Sequence, residues 1–473
     1  MDKRENGLGA LQLTMMALGT VIGGSFFLGS AVAVRAAGPS VIIGFILGGV
    51  LVYFILFAIS EMTVANPDCG SFRTFASQAF GEAAGFIVGW VYWTGMVLAM
   101  SSEATAVSIL LRQWFPGISV PLTGASIIVG ITLLNLLGAD KISKLESVLA
   151  AVKLFAIVFF IIIALLIIFG LLRGARAAGL GELNNEPFMP GGVSGLAGSM
   201  LLVMFTYAGF EIIGFAASEA RDPEVTVPKA IRYTVLGLSS LYIAYTVVLL
   251  TLIPTSELNE NVSPIVAAMN RHGITWAGTA LNIVLISAIL STMLAAMFGL
   301  GRMMRSIARE GQAPRWLKDK GEVPYRGILA SGSGMLFSLG TGLMFPSVYL
   351  FLISSGGFAL LFSYVMIMAT HIRFRKKYGC PPDGKCQLWG YPYTSLIVLL
   401  ALVSALASMP FVPGQTSGLA AGITIVIFYS ACYCALRVIR SRKKQRGRFI
   451  GGGMAAEMSE ELTDFNREEE DGK

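Results

Sequence analysis

Apolar runs of about 18 residues or more recur from Leu11 to Ile439 of this chain, and each is long enough to cross a bilayer as a helix. No other feature of the sequence restricts the fold so strongly. A bilayer interior holds no water to pair with backbone N–H and C=O groups, so a crossing segment must satisfy them within itself. The runs place twelve transmembrane helices at approximately 11–35, 39–60, 84–111, 119–138, 146–172, 195–218, 229–253, 275–301, 328–345, 347–370, 393–411 and 417–439. Several exceed the length a bilayer needs, which permits tilt but sets no angle. Composition points the same way. The chain is 55% hydrophobic and 13% charged, against about 25% charged in soluble domains. That balance excludes a disordered chain, a secreted disulfide scaffold and an ordinary cytosolic enzyme.

Lys and Arg set the orientation. With the N-terminus inside, Arg302, Arg305, Arg309, Arg315, Lys318 and Lys320 fall in a cytoplasmic loop. So do Arg373, Arg375, Lys376 and Lys377, and the run from Arg440 to Arg448 follows the last helix. Arg35, Arg112, Arg173, Arg176 and Arg271 are the basic residues left outside. Both termini are then cytoplasmic in a multi-pass plasma-membrane protein, and the net charge of +7 needs no nucleic acid to explain it. The short charged N-terminus leads into an apolar segment with no small-residue cleavage site, so the first helix is retained. Trp114, Trp276, Trp316 and Trp389 near helix ends read as interfacial anchors. Cys69, Cys380, Cys386, Cys432 and Cys434 lie in or near the cytoplasmic half, where thiols stay reduced. The tail after Ser441 turns acidic toward Glu468–Asp471 and reads as solvated chain.

Two helices carry central interruptions. The first contains Gly19-Thr20-Val21-Ile22-Gly23-Gly24-Ser25 and the sixth contains Tyr207-Ala208-Gly209-Phe210-Glu211. Glycine weakens a helix interior by up to about 1 kcal/mol. One reading is close packing between helices, which suits Gly44 and Gly48, and Gly81, Gly85 and Gly89, at four-residue spacing. The other is that both helices are discontinuous. One interrupted helix in each half then marks an inverted repeat of five helices, 11–172 and 195–370. A cytoplasmic stretch, 1–10, precedes the first repeat. A cytoplasmic loop, 371–392, follows the second, and helices eleven and twelve, 393–439, lead into the tail, 440–473. Unwound backbone at this depth lines a cavity. Its free N–H groups attract a carboxylate and its free carbonyls an ammonium, the two groups of an α-amino acid.

Three ionisable side chains remain well inside the apolar runs: Glu103, Lys153 and Glu211. Such residues are costly there and point to function. Lys153 is either a lysine reaching for the interface or an ammonium held by carbonyls of the broken first helix. Glu211, just after the second break, either stabilises the unwound segment or gate, or carries a proton. Glu103, with Ser101 and Ser102, either lines the cavity and takes a proton or makes a helix-to-helix hydrogen bond. Glu61 beside Asn66-Pro67 sits close to water and belongs to an inner gate or loop contact, and His272 and His371 near helix ends are weak proton relays. No metal-ligand cluster, nucleophile–base pair or cofactor motif is present.

Several of these stretches resemble the amino acid permeases of the amino acid–polyamine–organocation superfamily. They are Ile22-Gly23-Gly24-Ser25-Phe26-Phe27-Leu28-Gly29-Ser30; Glu61, Pro67, Gly70 and Ser71 with Gly89-Trp90, Tyr92-Trp93 and Glu103; Phe205-Thr206-Tyr207-Ala208-Gly209-Phe210-Glu211 with Glu219-Ala220, Pro223 and Pro228-Lys229-Ala230-Ile231; and Arg302 through Ala313-Pro314. The resemblance covers the first ten helices and implies an all-α, LeuT-type fold working by alternating access. Backbone near Ile22, Gly23, Gly24 and Ser25 would bind the substrate carboxylate. Carbonyls near Phe205, Tyr207, Ala208 and Gly209 would bind its amino group, and Ser101 is a further pocket candidate. A lysine at the place of Lys153 marks sodium-independent members. Ser25 stands where the family commonly has Gly; its hydroxymethyl narrows the space beside the substrate backbone and offers a hydroxyl. The expectation is a permease that imports an amino acid with a proton. The alternatives are an exchanger that takes a counter-substrate and an amino-acid-sensing receptor on the same fold.

Overall fold

The computed structural model describes residues 7–65, 72–172, 177–179, 181–216, 220–319, 321, 323–380 and 387–439, without the side chains of 139–151, 215 and 216. The expectations for the charged N-terminus, Pro67, Cys69, Gly70, Ser71, Arg173, Arg176, Glu219, Lys320, Cys386 and the tail fall outside the described residues. The described chain is helical. It holds α1 (Ala10–Val21), α2 (Ser30–Ala37), α3 (Val41–Ala65), α4 (Phe72–Phe80), α5 (Glu82–Leu111), α6 (Val120–Asn135), α7 (Ala139–Ile168) and α8 (Gly192–Thr206). The order continues with α9 (Ile212–Ala216), α10 (Pro223–Leu252), α11 (Pro264–Arg271), α12 (Thr275–Arg309), α13 (Tyr325–Gly342), α14 (Val348–Tyr378), α15 (Tyr393–Ala407) and α16 (Gln415–Ile439). Among the described residues, β structure amounts to one isolated bridge, Leu8 with Ala220.

Each apolar run coincides with a helix or a broken pair of helices. Among the described residues, six stretches are long and apolar enough to cross a membrane: Ser25–Ala65, Glu82–Leu111, Pro223–Leu252, Thr275–Arg309, Val348–Tyr378 and Gln415–Ile439. Five shorter apolar helices join them: Ala10–Val21, Val120–Asn135, Val152–Ile168, Gly192–Thr206 and Tyr393–Ala407. The ninth run, α13, is rich in glycine and serine. Helix α12 has 35 residues and therefore extends about 52 Å, well past a hydrocarbon core of about 30 Å. The excess is its basic end, Arg302, Arg305 and Arg309. Helix α14 ends the same way, on Arg375, Lys376 and Lys377.

Contact density divides the chain at Ile423, with Thr424–Lys473 as a second unit. Within the first, α5 packs on α14, α3 on α10 and α7 on α12. Glycine spacing explains two close approaches. A Cβ on Gly48 would lie 3.0 Å from Val203 and 3.1 Å from Tyr207, so α3 meets α8 there; one on Gly85 would lie 2.7 Å from Ser77, so α4 folds onto α5. Burial differs from helix to helix: the apolar part of α14 is buried nearly all round and that of α16 scarcely at all, while α7 buries one face. On α7, Lys153, Ile157, Phe160 and Ala164 are buried, while Phe155, Val158, Ile162 and Leu165 are exposed. That is one helical stripe turned inward and one turned to the lipid. An aromatic cluster sits beside the break in the first helix. Phe26 stacks on Tyr242 at 4.2 Å between centroids and packs on Tyr245 and Phe27.

One expectation is corrected at the cysteines. Cys380 is disulfide-bonded, whereas Cys432 and Cys434 are free. Compartment chemistry says which redox state is favoured, but the fold decides which sulfurs come within bonding distance.

Candidate functional site

Both expected interruptions are present. Helix α1 ends at Val21, Ile22 is extended, and the chain re-enters helix as a π-turn over Ser25–Gly29 before α2. Helix α8 ends at Thr206, residues 207–211 form a turn, and α9 restarts at Ile212. The turn depends on Gly209, whose φ of +103° is a conformation side chains disfavour. The two breaks adjoin. Thr20 Oγ1 donates to Gly209 O at 3.4 Å, and a Cβ on Gly209 would lie 3.2 Å from Thr20 O.

Side chains from other helices take up the polar groups that the breaks free. Tyr242 OH donates to Thr206 O at 3.0 Å, at the end of α8. At the first break, Gly24 N–H donates to Glu103 Oε2 at 2.6 Å and Ser25 N–H donates to Glu103 Oε1 at 3.1 Å. One carboxylate thus spans two successive amides, both buried. Thr292 Oγ1 on α12 lies 3.2 Å from Ile22 O, and Lys153 Nζ on α7 donates to Thr292 Oγ1 at 2.7 Å and to Gly19 O at 2.9 Å. Lys153 is therefore anchored inward, not extended to the interface, and its place on the buried stripe of α7 accounts for that. At the second break Glu211 closes on its own turn, accepting from Gly209 N–H at 3.0 Å. It also accepts from Tyr92 OH at 2.7 Å and Tyr364 OH at 3.2 Å.

Helix α5 serves both breaks. Tyr92 and Glu103 are eleven residues apart, which is about 16 Å and three turns, so they share one face. Helix α14 repeats the device with Tyr364, His371 and Arg375. The last two meet Glu61 of α3. Arg375 Nε and Nη2 each donate to it at 2.8 Å, His371 Nε2 lies 3.1 Å away, and the Gln387 and Leu388 amides donate at 3.1 Å.

Several sequence expectations change. Glu61 is not close to water; it is 1% exposed beneath Arg375 and the Gln387–Leu388 backbone, in the loop that leads into α15. His371 is not at an open helix end but fully buried in that cluster. The hydroxyl of Ser101 bonds to Val97 O and Met335 O on α13, because its position on α5 faces that helix and not the breaks. Tyr207 directs its hydroxyl to Phe45 O and Ser239 Oγ, so only its backbone belongs to the break. Phe205 O is taken by the Ala208 amide, while Ala208 and Gly209 are half-buried. Thr292, Tyr364 and Arg375 were missed. A threonine in an apolar run is an ordinary residue, and only its position between Lys153 and Ile22 makes it part of the site.

Two interrupted helices crossing beside a buried ammonium and two buried carboxylates, inside a bundle of apolar helices, are the parts of a multi-pass membrane transporter. The chain belongs to the amino acid permease family, whose model matches residues 12–447. Among its relatives is the uncharacterized amino acid permease YvbW of Bacillus subtilis, 33% identical over 92% of this chain and 96% of the relative. The γ-aminobutyric acid permease of the same organism is 30% identical over 88% of this chain and 91% of its own length. The probable threonine/serine transporter YbxG is 31% identical over 96% and 99%. The family is one of transporters, not of enzymes.

Proposed function

We propose that the chain is a secondary active transporter that imports an amino acid across the plasma membrane by alternating access, without sodium and together with a proton. In this reading twelve helices cross the membrane, both termini are cytoplasmic, and residues 11–172 and 195–370 are inverted five-helix repeats. The substrate carboxylate binds the amides near Ile22–Ser25, and its ammonium binds carbonyls near Phe205, Tyr207, Ala208 and Gly209. Glu103, Lys153 and Glu211 provide coupling and gating. The observation that carries the reading is the position of Lys153, whose ammonium bonds the last turn of α1 and Thr292. It supplies from within the chain the charge that a sodium ion would bring, which favours a carrier that needs no sodium. The relatives named for γ-aminobutyric acid and for threonine and serine support an amino acid as cargo.

The test is uptake into proteoliposomes, with substrate chosen by a thermal-shift screen of the common amino acids. Uptake driven by an acidic exterior, unchanged when choline replaces sodium and reduced at least tenfold in Lys153→Ala, is the expected result. A requirement for a sodium gradient would refute the coupling. Uptake that depends on preloaded amino acid and ignores the proton gradient makes the chain an exchanger, and binding without counterflow makes it a receptor.

A further inference from the structure

The amides of Gly24 and Ser25 are the donors that the proposed function reserves for the substrate carboxylate, and here they hold the carboxylate of Glu103. The fit is close. Gly24 is buried, and a Cβ on it would lie 2.4 Å from Glu103 Oε2 and 3.1 Å from Ile289. Glu103 is 3% exposed, and its two oxygens each take one amide. Hydrogen bonds from backbone N–H to a carboxylate are about twice as strong as neutral ones, so Glu103 satisfies these two amides well. A second ionised carboxylate is disfavoured beside the first, because two like charges sharing one buried site repel unless one takes up a proton. Nor can it bind alongside, since the amide pair offers only two donors.

We propose that Glu103 is an internal stand-in for the substrate's carboxylate: it caps Gly24 and Ser25 in the empty carrier and is displaced when an amino acid binds. Glu103 then lowers the affinity for every carboxylate-bearing substrate by occupying its subsite. It also keeps the amides of the broken helix paired while no substrate is bound, since an unpaired buried amide is costly. The idea rests on the proposed placement of the substrate carboxylate at this break.

The test is equilibrium binding to the purified full-length chain. The twenty common L-amino acids and 4-aminobutyrate serve as probes, and the tightest binder is compared with its carboxamide. In Glu103→Gln the side-chain amide accepts from only one backbone N–H and turns its NH2 toward the other, so the acid should bind at least tenfold more tightly while the carboxamide changes less than twofold. Glu103→Asp, shorter by one methylene and still charged, should gain part of that increase, and it stands in if the Gln variant does not fold. Wild-type binding of an amino acid that is unchanged or weakened in both variants overturns the stand-in role and leaves the transport reading intact. A carboxamide that gains as much as the acid also overturns it. Absence of binding by every probe, to wild type and to both variants, refutes the amino acid reading itself.

Discussion

At the scale of single residues, the buried charges are held in three ways, and each has a different consequence on substitution. Glu61 is gripped from five donors across α3, α14 and the following loop. Taking away one partner of such a set strands a charge that water cannot reach, at a cost of about 3–5 kcal/mol. Arg375→Ala should therefore lower the apparent melting temperature of the detergent-solubilised protein sharply. A fall of only a degree or two would show that the cluster contributes little. Lys153 differs in bonding a carbonyl and a hydroxyl while also interacting electrostatically with Glu103, and the uptake assay reads the effect of its loss. Glu211 lies between these cases, bonded to its own turn and to two tyrosines. That Glu103, Lys153 and Glu211 lie inside the apolar runs was legible from the sequence, and all three are buried. Their partners were not legible. Tyr364 and Thr292 are the sort of residue that any membrane helix carries, and only contact across helices distinguishes them.

At the scale of elements, the two breaks are where local sequence and fold agree most directly. Gly23-Gly24 weakens the first helix, and Gly209 adopts a φ of +103° that other residues reach only under strain. Gly209→Ala should cost about 1–3 kcal/mol in conformational strain. It also crowds Thr20 O, which a Cβ would approach to 3.2 Å. Uptake should therefore fall further than thermal stability. Comparable losses in a Gly130→Ala control, where an added Cβ meets nothing within 4 Å, would remove the link to the break. The amphipathic helix α4 is an element that hydropathy alone does not detect, being only 9 residues long. It folds onto α5 through Gly85 and Gly89, and its Arg73 pairs with Glu310 just past the end of α12. Four-residue glycine spacing announces such contacts without naming the partner helix.

At the scale of the whole molecule, the proposed orientation rests on the basic ends of α12 and α14, which lie beyond their apolar parts. Trp276 at the start of α12 is 63% exposed and Trp316 past its end is 57% exposed, so both positions accept a reporter. In a cysteine-free background, a membrane-impermeant thiol reagent applied to intact cells should label Trp276→Cys at once and Trp316→Cys only after lysis. The reverse pattern would invert the topology. The sequence by itself determined that this chain is a helical membrane protein, where its helices lie, which two of them break and that Glu103, Lys153 and Glu211 lie within apolar runs. These are properties of single segments, because transfer into a bilayer is decided by each run's own hydropathy and each helix by its own backbone pairing. Only the tertiary structure decided what the buried groups touch: that Lys153 bonds both Gly19 O and Thr292, that Glu61 is sealed under Arg375, that Ser101 faces α13, and that Glu103 occupies the amides of Gly24 and Ser25. Those pairings join residues that are tens to hundreds of positions apart. They depend on how far each helix is rotated about its axis against its neighbours, and packing of all the helices together sets that angle.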